Sequence, residues 1–185
     1  MQHSLYFIAI IPPDDVCTEV DAFRNDFKNN YNSRAALKNV PHITLKAPFE
    51  AAPKQHSTIL DWFGNLNIKT EPFSIDLQNF GAFDNPKNPV IYVKPLLTDN
   101  LTQLQKEIIT AFELSFPDTT LHYHERHFAP HLTIAFRDLS YEQFKKAWTI
   151  YSNKHYTAQF AVNHLCLFKH NGTAWQVIAI YNLGS

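Results

Sequence analysis

An α+β fold built from two similar lobes is what this sequence predicts, on three observations. Helical and strand periodicities are both present, but they do not follow one another as regular βαβα units. The pentapeptide Pro41-His42-Ile43-Thr44-Leu45 recurs as Pro130-His131-Leu132-Thr133-Ile134, an offset of 89 residues (131 − 42), close to half of the 185-residue chain. Each copy is followed by a helix signal and then by two strand signals, so duplication explains the match better than chance. Finally, 45% hydrophobic and 14% aromatic residues suffice for one sizeable core and argue against disorder. Residues 1–185 are therefore expected to form one bilobal domain in which both pentapeptides meet at a shared cleft.

Residues 5–11 are a short apolar run closed by Pro12-Pro13 and read as a buried strand. Asp14 is a candidate helix N-cap. Val16, Val20, Phe23, Phe27 and Tyr31 then recur at spacings of four, three, four and four, the apolar stripe of a helix lying on a sheet. Both pentapeptides alternate apolar and polar residues and read as strands. A weaker helix covers about 54–64, with Ile59, Trp62 and Phe63 and a stop at Gly64. Strands follow at 73–83 and 90–96, separated by Asp84-Asn85-Pro86-Lys87-Asn88-Pro89, a strong turn signal. A third helix runs from about Asp99 to Ser115, with Leu101, Leu104, Ile108 and Phe112 on one side. Segment 116–130 has no clear period. Ser140-Tyr141-Glu142-Gln143 matches a capping box and opens a fourth helix carrying Phe144, Ala147, Trp148 and Tyr151. Strands at 157–162, 165–169 and 174–181 end the chain, with Asn171-Gly172 as the turn between the last two.

Charge excludes a further class. With 16 basic and 17 acidic residues the net charge is −1, so no global positive field exists to hold a long duplex, and an anionic partner must be met by a local cluster. No apolar run approaches the roughly 20 residues of a membrane span, and the N-terminal run lacks the basic flank of a signal peptide. Cys17 and Cys166 then read as reduced, buried thiols of a monomeric cytoplasmic protein.

Chemistry concentrates in the repeated motif. In a strand, residues i and i+2 share a face about 6.5–7 Å apart. His42, Thr44 and Lys46 thus share one face of the first copy; His131, Thr133, Ala135 and Arg137 share one face of the second. The intervening Ile43, Leu45, Leu132 and Ile134 go to the core. One His-x-Thr pair is an ordinary polar pair, but two at duplicated positions point to a common ligand. Two imidazoles and two hydroxyls suit a phosphodiester: a neutral His accepts a proton from the attacking oxygen, and a protonated His supplies one to the departing oxygen. The threonines hold the non-bridging oxygens. Lys46 and Arg137, further along these faces, and Arg126, just ahead of the second motif, are candidate substrate contacts. Phe49, Phe83 and Tyr123 are candidates for stacking a base, set against the commoner role of aromatics as core.

Here the chain resembles a known family. His42-Ile43-Thr44-Leu45 and His131-Leu132-Thr133-Ile134 are similar to the paired motifs of the 2H phosphoesterase superfamily, which includes bacterial 2′-5′ RNA ligase-like proteins and RNA cyclic phosphodiesterases. The N-terminal strand and long helix, and Phe128-x-Pro130, extend the resemblance over most of the chain. It implies two antiparallel sheets related by a pseudo-twofold axis, helices outside and a water-filled cleft between. It further implies action on 2′,3′-cyclic or 2′-5′ phosphodiester bonds of RNA ends or nucleotides, with no metal or other cofactor and with ligation as the reverse reaction. His42 and His131 would be the acid/base pair, and Thr44 and Thr133 the phosphate-binding hydroxyls.

Two other readings compete. His122, His124 and His127, beside Glu125, have the residue types of a metal-dependent hydrolase, although His131 is better explained by its twin at His42. A module that only binds nucleotides or RNA ends would use the same four residues, and turnover separates it from an enzyme.

Overall fold

The computed structural model describes residues 3–184. In chain order its elements are β1 (Ser4–Ile10), α1 (Asp14–Asn30), β2 (Ile43–Ala51), α2 (His56–Gly64), β3 (Phe73–Phe83), β4 (Val90–Pro95), α3 (Asp99–Ser115), α4 (Tyr123–Arg126), β5 (Leu132–Ala135), α5 (Tyr141–Tyr151), β6 (Thr157–Val162), β7 (His164–His170) and β8 (Trp175–Asn182), with short 3-10 turns at Ala35–Lys38 and Pro53–Gln55. Each periodic segment of the sequence becomes the expected element within one or two residues. Helix α1 starts at Asp14 with Pro13 as its cap, and segment 116–130 contributes only the single turn α4. The Ser140 hydroxyl does cap α5, accepting from Gln143 N. The turn between β7 and β8 is longer than two residues: Asn171 N donates to Ala174 O, and Gly172 takes the positive φ of 97° that the bend requires.

All pairings are antiparallel, in the order β6-β3-β4-β5-β2-β1-β7-β8. The sheet curls into a half-barrel with the helices around it. Its two four-stranded halves are the expected pair of sheets, fused at the centre where β2 and β5 share one paired position, Ile43 opposite Leu132. The motif strands therefore lie side by side at the seam. Outward from it, β2 corresponds to β5, β1 to β4 and β7 to β3.

The helices cross over this symmetry: α1 packs on β5 and α3 on β2, so each long helix covers the motif strand of the opposite half. Leu101, Leu104, Ile108 and Phe112 of α3 are each fully buried, as are Val20 and Phe27 of α1, and burying such side chains stabilises by about 1.5–3 kcal/mol apiece. The face away from the helices carries a smaller apolar cluster, Phe7, Ala9, Cys166 and Phe168. Cys17 and Cys166 are free thiols. Among the described residues no helix is long and apolar enough to cross a membrane.

Candidate active site

Register dictates the site. With Ile43 opposite Leu132 in an antiparallel pair, position 42 faces 133 and position 44 faces 131. Directly opposed residues share a face with Cβ atoms about 4.5–5.5 Å apart, and diagonal ones lie at about 7–8 Å. His42 thus stands across from Thr133, Thr44 from His131, and the imidazoles occupy one diagonal of a four-residue figure. All four line a single cavity.

The two histidines have matching surroundings. His42 Nδ1 lies 2.8 Å from Val40 O and His131 Nδ1 2.8 Å from Ala129 O. A carbonyl only accepts, so Nδ1 carries the proton in both rings and Nε2 is left for the ligand. Phe7 and Phe168 flank His42 with ring centroids at 5.1 and 6.0 Å; Phe83 and Tyr92 flank His131 at 5.2 and 5.7 Å. These aromatics come from corresponding strands. Gly81, opposite Tyr92 in the register, makes room for that ring, since a Cβ at 81 would collide with it. Burial drives the His42 imidazole down to about 4, opposed by the Val40 carbonyl and reinforced by the charges of Arg24 and His131. Burial also lowers His131; Ala129 opposes it and His124 adds to it. Both rings remain half-open to the cleft, where water softens the effect.

Of the three candidate cationic contacts, Arg137 alone lines the cavity. It takes φ 56° just beyond β5, a left-handed residue that ends the strand. Lys46 is a correction: it is 0% exposed and its Nζ lies 2.7 Å from Glu125 Oε1. The cause is a β-bulge. Ala9 pairs with Thr44 but Ile8 with Lys46, so two residues of β2 oppose one of β1 and the alternation slips after Thr44. The same slip recurs after Thr133, where Tyr92 pairs with Thr133 and Ile91 with Ala135. Arg126 is a second correction, lying in a separate hollow against α3 with Lys106 and Glu113. Phe49 is core, 5% exposed. Glu125 is committed to Lys46, and no group of three or more His, Cys, Asp or Glu is placed to hold a metal ion among the described residues.

Sequence reading missed Arg24. It is 2% exposed; its Nε and Nη2 donate to Thr133 O at 3.1 and 3.0 Å, and its Nη1 to Asn39 O and Asp21. The guanidinium fixes the backbone of the second motif from below and lines the cavity. The signal was present, because Arg24 interrupts the stripe Val20, Phe23, Phe27.

Asp138 fixes the approach to the first motif. Its carboxylate accepts from Ser33 Oγ, Arg34 N and Ala35 N at 2.8–3.0 Å. Burial acting alone would raise this carboxyl; the donors from Arg34, Ser33 and Ala35 outweigh it and hold it below its ordinary 3.8. Its contribution to stability is therefore present above pH 3.8 and lost as pH falls through the lower folded value. Asp138→Ala is expected to cost about 1 kcal/mol near neutrality. Thermal unfolding of both proteins from pH 7 to 2 checks this: the gap between them should close below pH 3.8.

A curled antiparallel sheet with two His-x-Thr pairs at its seam defines a two-histidine phosphoesterase plan. The comparisons agree. A family model described as the 2′-5′ RNA ligase superfamily matches residues 12–174, and the chain belongs to that superfamily, a class of phosphoesterases. A protein of Bacillus cytotoxicus, provisionally named a phosphoesterase, is 32% identical over 160 residues, covering 86% of this chain and 88% of its own. One from Geobacillus kaustophilus with the same kind of name is 28% identical over 181 residues, covering 97% and 96%. Among solved structures, Escherichia coli LigT complexed with 3′-AMP superposes with a TM-score of 0.71 at 16% identity, over 100% of both chains. A Thermus thermophilus protein gives 0.69 at 18% identity over 97% of both chains. These two establish likeness of fold.

Proposed function

We propose that this protein is a phosphodiesterase acting on 2′,3′-cyclic or 2′-5′ phosphodiester bonds of nucleotides or RNA ends, by two-histidine acid/base catalysis without a metal, the reverse direction being 2′-5′ ligation. The observation that carries this reading is the register at the seam, which sets two imidazoles on one diagonal and two threonines on the other around one cavity. With both Nδ1 atoms held by carbonyls, one Nε2 accepts a proton from water as it attacks phosphorus, and the other, protonated, gives its proton to the oxygen that leaves. The threonine hydroxyls donate to the non-bridging oxygens and fix the phosphorus between the rings. The solved complexes of LigT with 3′-AMP, ATP and NADP+ lend support to a nucleotide as ligand.

The test is turnover of a panel of 2′,3′-cyclic nucleotides and 2′-5′ linked dinucleotides with EDTA present. At least one member is expected to be hydrolysed, and no turnover of any would leave the nucleotide-binding module as the reading. In the free protein both imidazoles titrate below 6.5, His42 at about 4, and one must be neutral while the other is charged. The kcat/KM profile is accordingly expected to be a bell with its maximum between about pH 4 and 6.5. The kcat profile should lie higher, because a bound diester anion stabilises imidazolium. A flat profile from pH 5 to 8 contradicts two-histidine catalysis.

A further inference from the structure

Where β7 turns into β8 the duplicated plan breaks. Ile8 pairs with Lys46 and Ile91 with Ala135, and Lys46 and Ala135 stand at the same offset of 89 residues (135 − 46). Ile8 and Ile91 are therefore equivalent, and one residue before them Phe7 faces Phe168 as Val90 faces Phe83. The next residue is Lys169 in β7 but Asp84 just past β3. At Lys169 a hollow of about 690 Å³ opens, with His3, His56, His170, Asn171 and Gln176 also in its wall and no carboxylate lining it among the described residues. The fold does not demand this, since the equivalent place in the other half carries an acid.

The acceptor atoms of three of these side chains are already used inside the protein. The Tyr6 hydroxyl is 0% exposed and has His56 Nδ1 at 3.0 Å as its acceptor. A buried O–H gives its proton to an acceptor, so His56 carries its own on Nε2. His170 Nδ1 accepts from Gly172 N at 3.1 Å, which likewise leaves the ring proton on Nε2, and Trp175 meets that ring edge-on. Asn171 Oδ1 accepts from Thr173 N and Ala174 N at 2.9 and 2.8 Å, which leaves its NH2 group. Lys169 Nζ lies 5.7 Å from the centre of the Tyr6 ring and enters none of the ion pairs found among the described residues. The one acid beside the hollow is Glu50, 3.5 Å from His3 at the solvent edge. A ligand is thus offered donors and one ammonium. None of the residues in this wall lines the cavity of the motif histidines; Trp175, which does, adjoins the hollow through His170.

We propose that this hollow is a second phosphate-binding site, outside the cleft, with Lys169 as its charge and His56, His170 and Asn171 as its hydrogen-bond donors. An ionised phosphate has oxygens that only accept, and it matches donors that converge from the start of α2, the end of β7 and the turn beyond it. A metal ion does not fit the same wall, because no group of three or more ligating side chains is placed to hold one among the described residues. The phosphate is either free or part of a single-stranded chain that crosses Trp175, whose indole offers a face for stacking. The site is independent of the phosphodiesterase reading, since nothing in the hollow is asked to react.

The test reads each imidazole separately. Inorganic phosphate replaces sodium chloride, at fixed pH and ionic strength, in a solution of the full chain, and the histidine ring resonances, assigned with single His→Gln variants, are followed by NMR. The His56 and His170 signals are expected to shift saturably, with a midpoint on the order of 1 mM. Lys169→Met should raise that midpoint about tenfold, the scale of one hydrogen bond to a charged group. Lys169→Arg should keep it within a few-fold, and the response of His42 and His131 to phosphate should be the same in all three proteins. A short single-stranded oligothymidylate then separates the two sources. A chain phosphate moves the His170 and cleft signals together at one midpoint, whereas a site for free phosphate leaves His170 unmoved by the chain. Absence of a saturable shift at His56 and His170 overturns the site, and so does a shift that is undiminished in Lys169→Met.

Discussion

Replacing His131 with alanine is expected to lower turnover of a 2′,3′-cyclic nucleotide by about 10²–10⁴-fold, the usual worth of a positioned acid or base; His42→Ala should do the same. The two variants should part company on a diester whose departing group is 4-nitrophenolate, which leaves without help from an acid. There the variant that has lost the acid should lose little, and the variant that has lost the base that prepares the water should lose as much as before. Steady-state kinetics of three proteins on two substrates decides it. Equal losses on both substrates by both variants would mean that neither histidine serves solely as the acid. Retention of wild-type turnover on the cyclic nucleotide by either variant would remove the mechanism itself. Neither change should unfold the protein, since both rings are half-open to the cleft and neither belongs to the core packed beneath the sheet.

Which of these groups could be read from sequence follows from the physics of strands. Alternation with a period of two correctly sends Ile43, Leu45, Leu132 and Ile134 inward and the His-x-Thr pairs to the opposite face, because each copy is regular up to its threonine. It fails two residues later in both halves, at Lys46 and at Ala135. A bulge depends on how a strand meets its neighbour and leaves no mark on the strand's own pattern, so alternation puts Lys46 on the cleft side although it is buried. Phe7 is invisible for a different reason. Residues Tyr6–Ile10 are buried on both faces of the sheet, and an unbroken apolar run does not say which side chains line a cleft. Trp175, which also lines it, comes from the last strand, brought there by a topology that sequence order does not reveal. Arg24 is legible in principle: a guanidinium on the apolar stripe of a helix must find acceptors when buried, and it finds them on the second motif.

Lys46 itself carries the largest expected effect on stability. Its ammonium lies in the core against Phe112 and Phe49, 4.3 and 5.2 Å from their ring centres, and burial lowers its ionisation below the usual 10.5 while Glu125 opposes that. Removing the carboxylate leaves this cation buried without its partner, so Glu125→Gln is expected to destabilise by about 3–5 kcal/mol. The deficit should shrink as pH rises toward 10.5, because the unpaired Lys46, depressed further, sheds its proton in the folded protein before it does so in the unfolded one. In the double variant Lys46→Met, Glu125→Gln, no buried charge remains, and the amide oxygen introduced at position 125 accepts from one of the two backbone N–H groups, of Ala47 or His122, that the carboxylate holds with its two oxygens. More than half of the lost stability should return. Chemical denaturation of the two single variants and the double one closes the cycle, and additive losses would show that the pair is not coupled. The consequence reaches the chemistry, because the Glu125 carboxylate ties Ala47, just past the first motif, to His122, nine residues before His131. From there the chain runs through Phe128 to Ala129, whose carbonyl holds His131 Nδ1. Asp138, just past the second motif, ties down residues 33–35 ahead of His42 in the same manner. Each histidine is thus entered from a segment anchored by a carboxylate to the other half of the sheet, which is how two distant lengths of chain come to hold their imidazoles around one cavity.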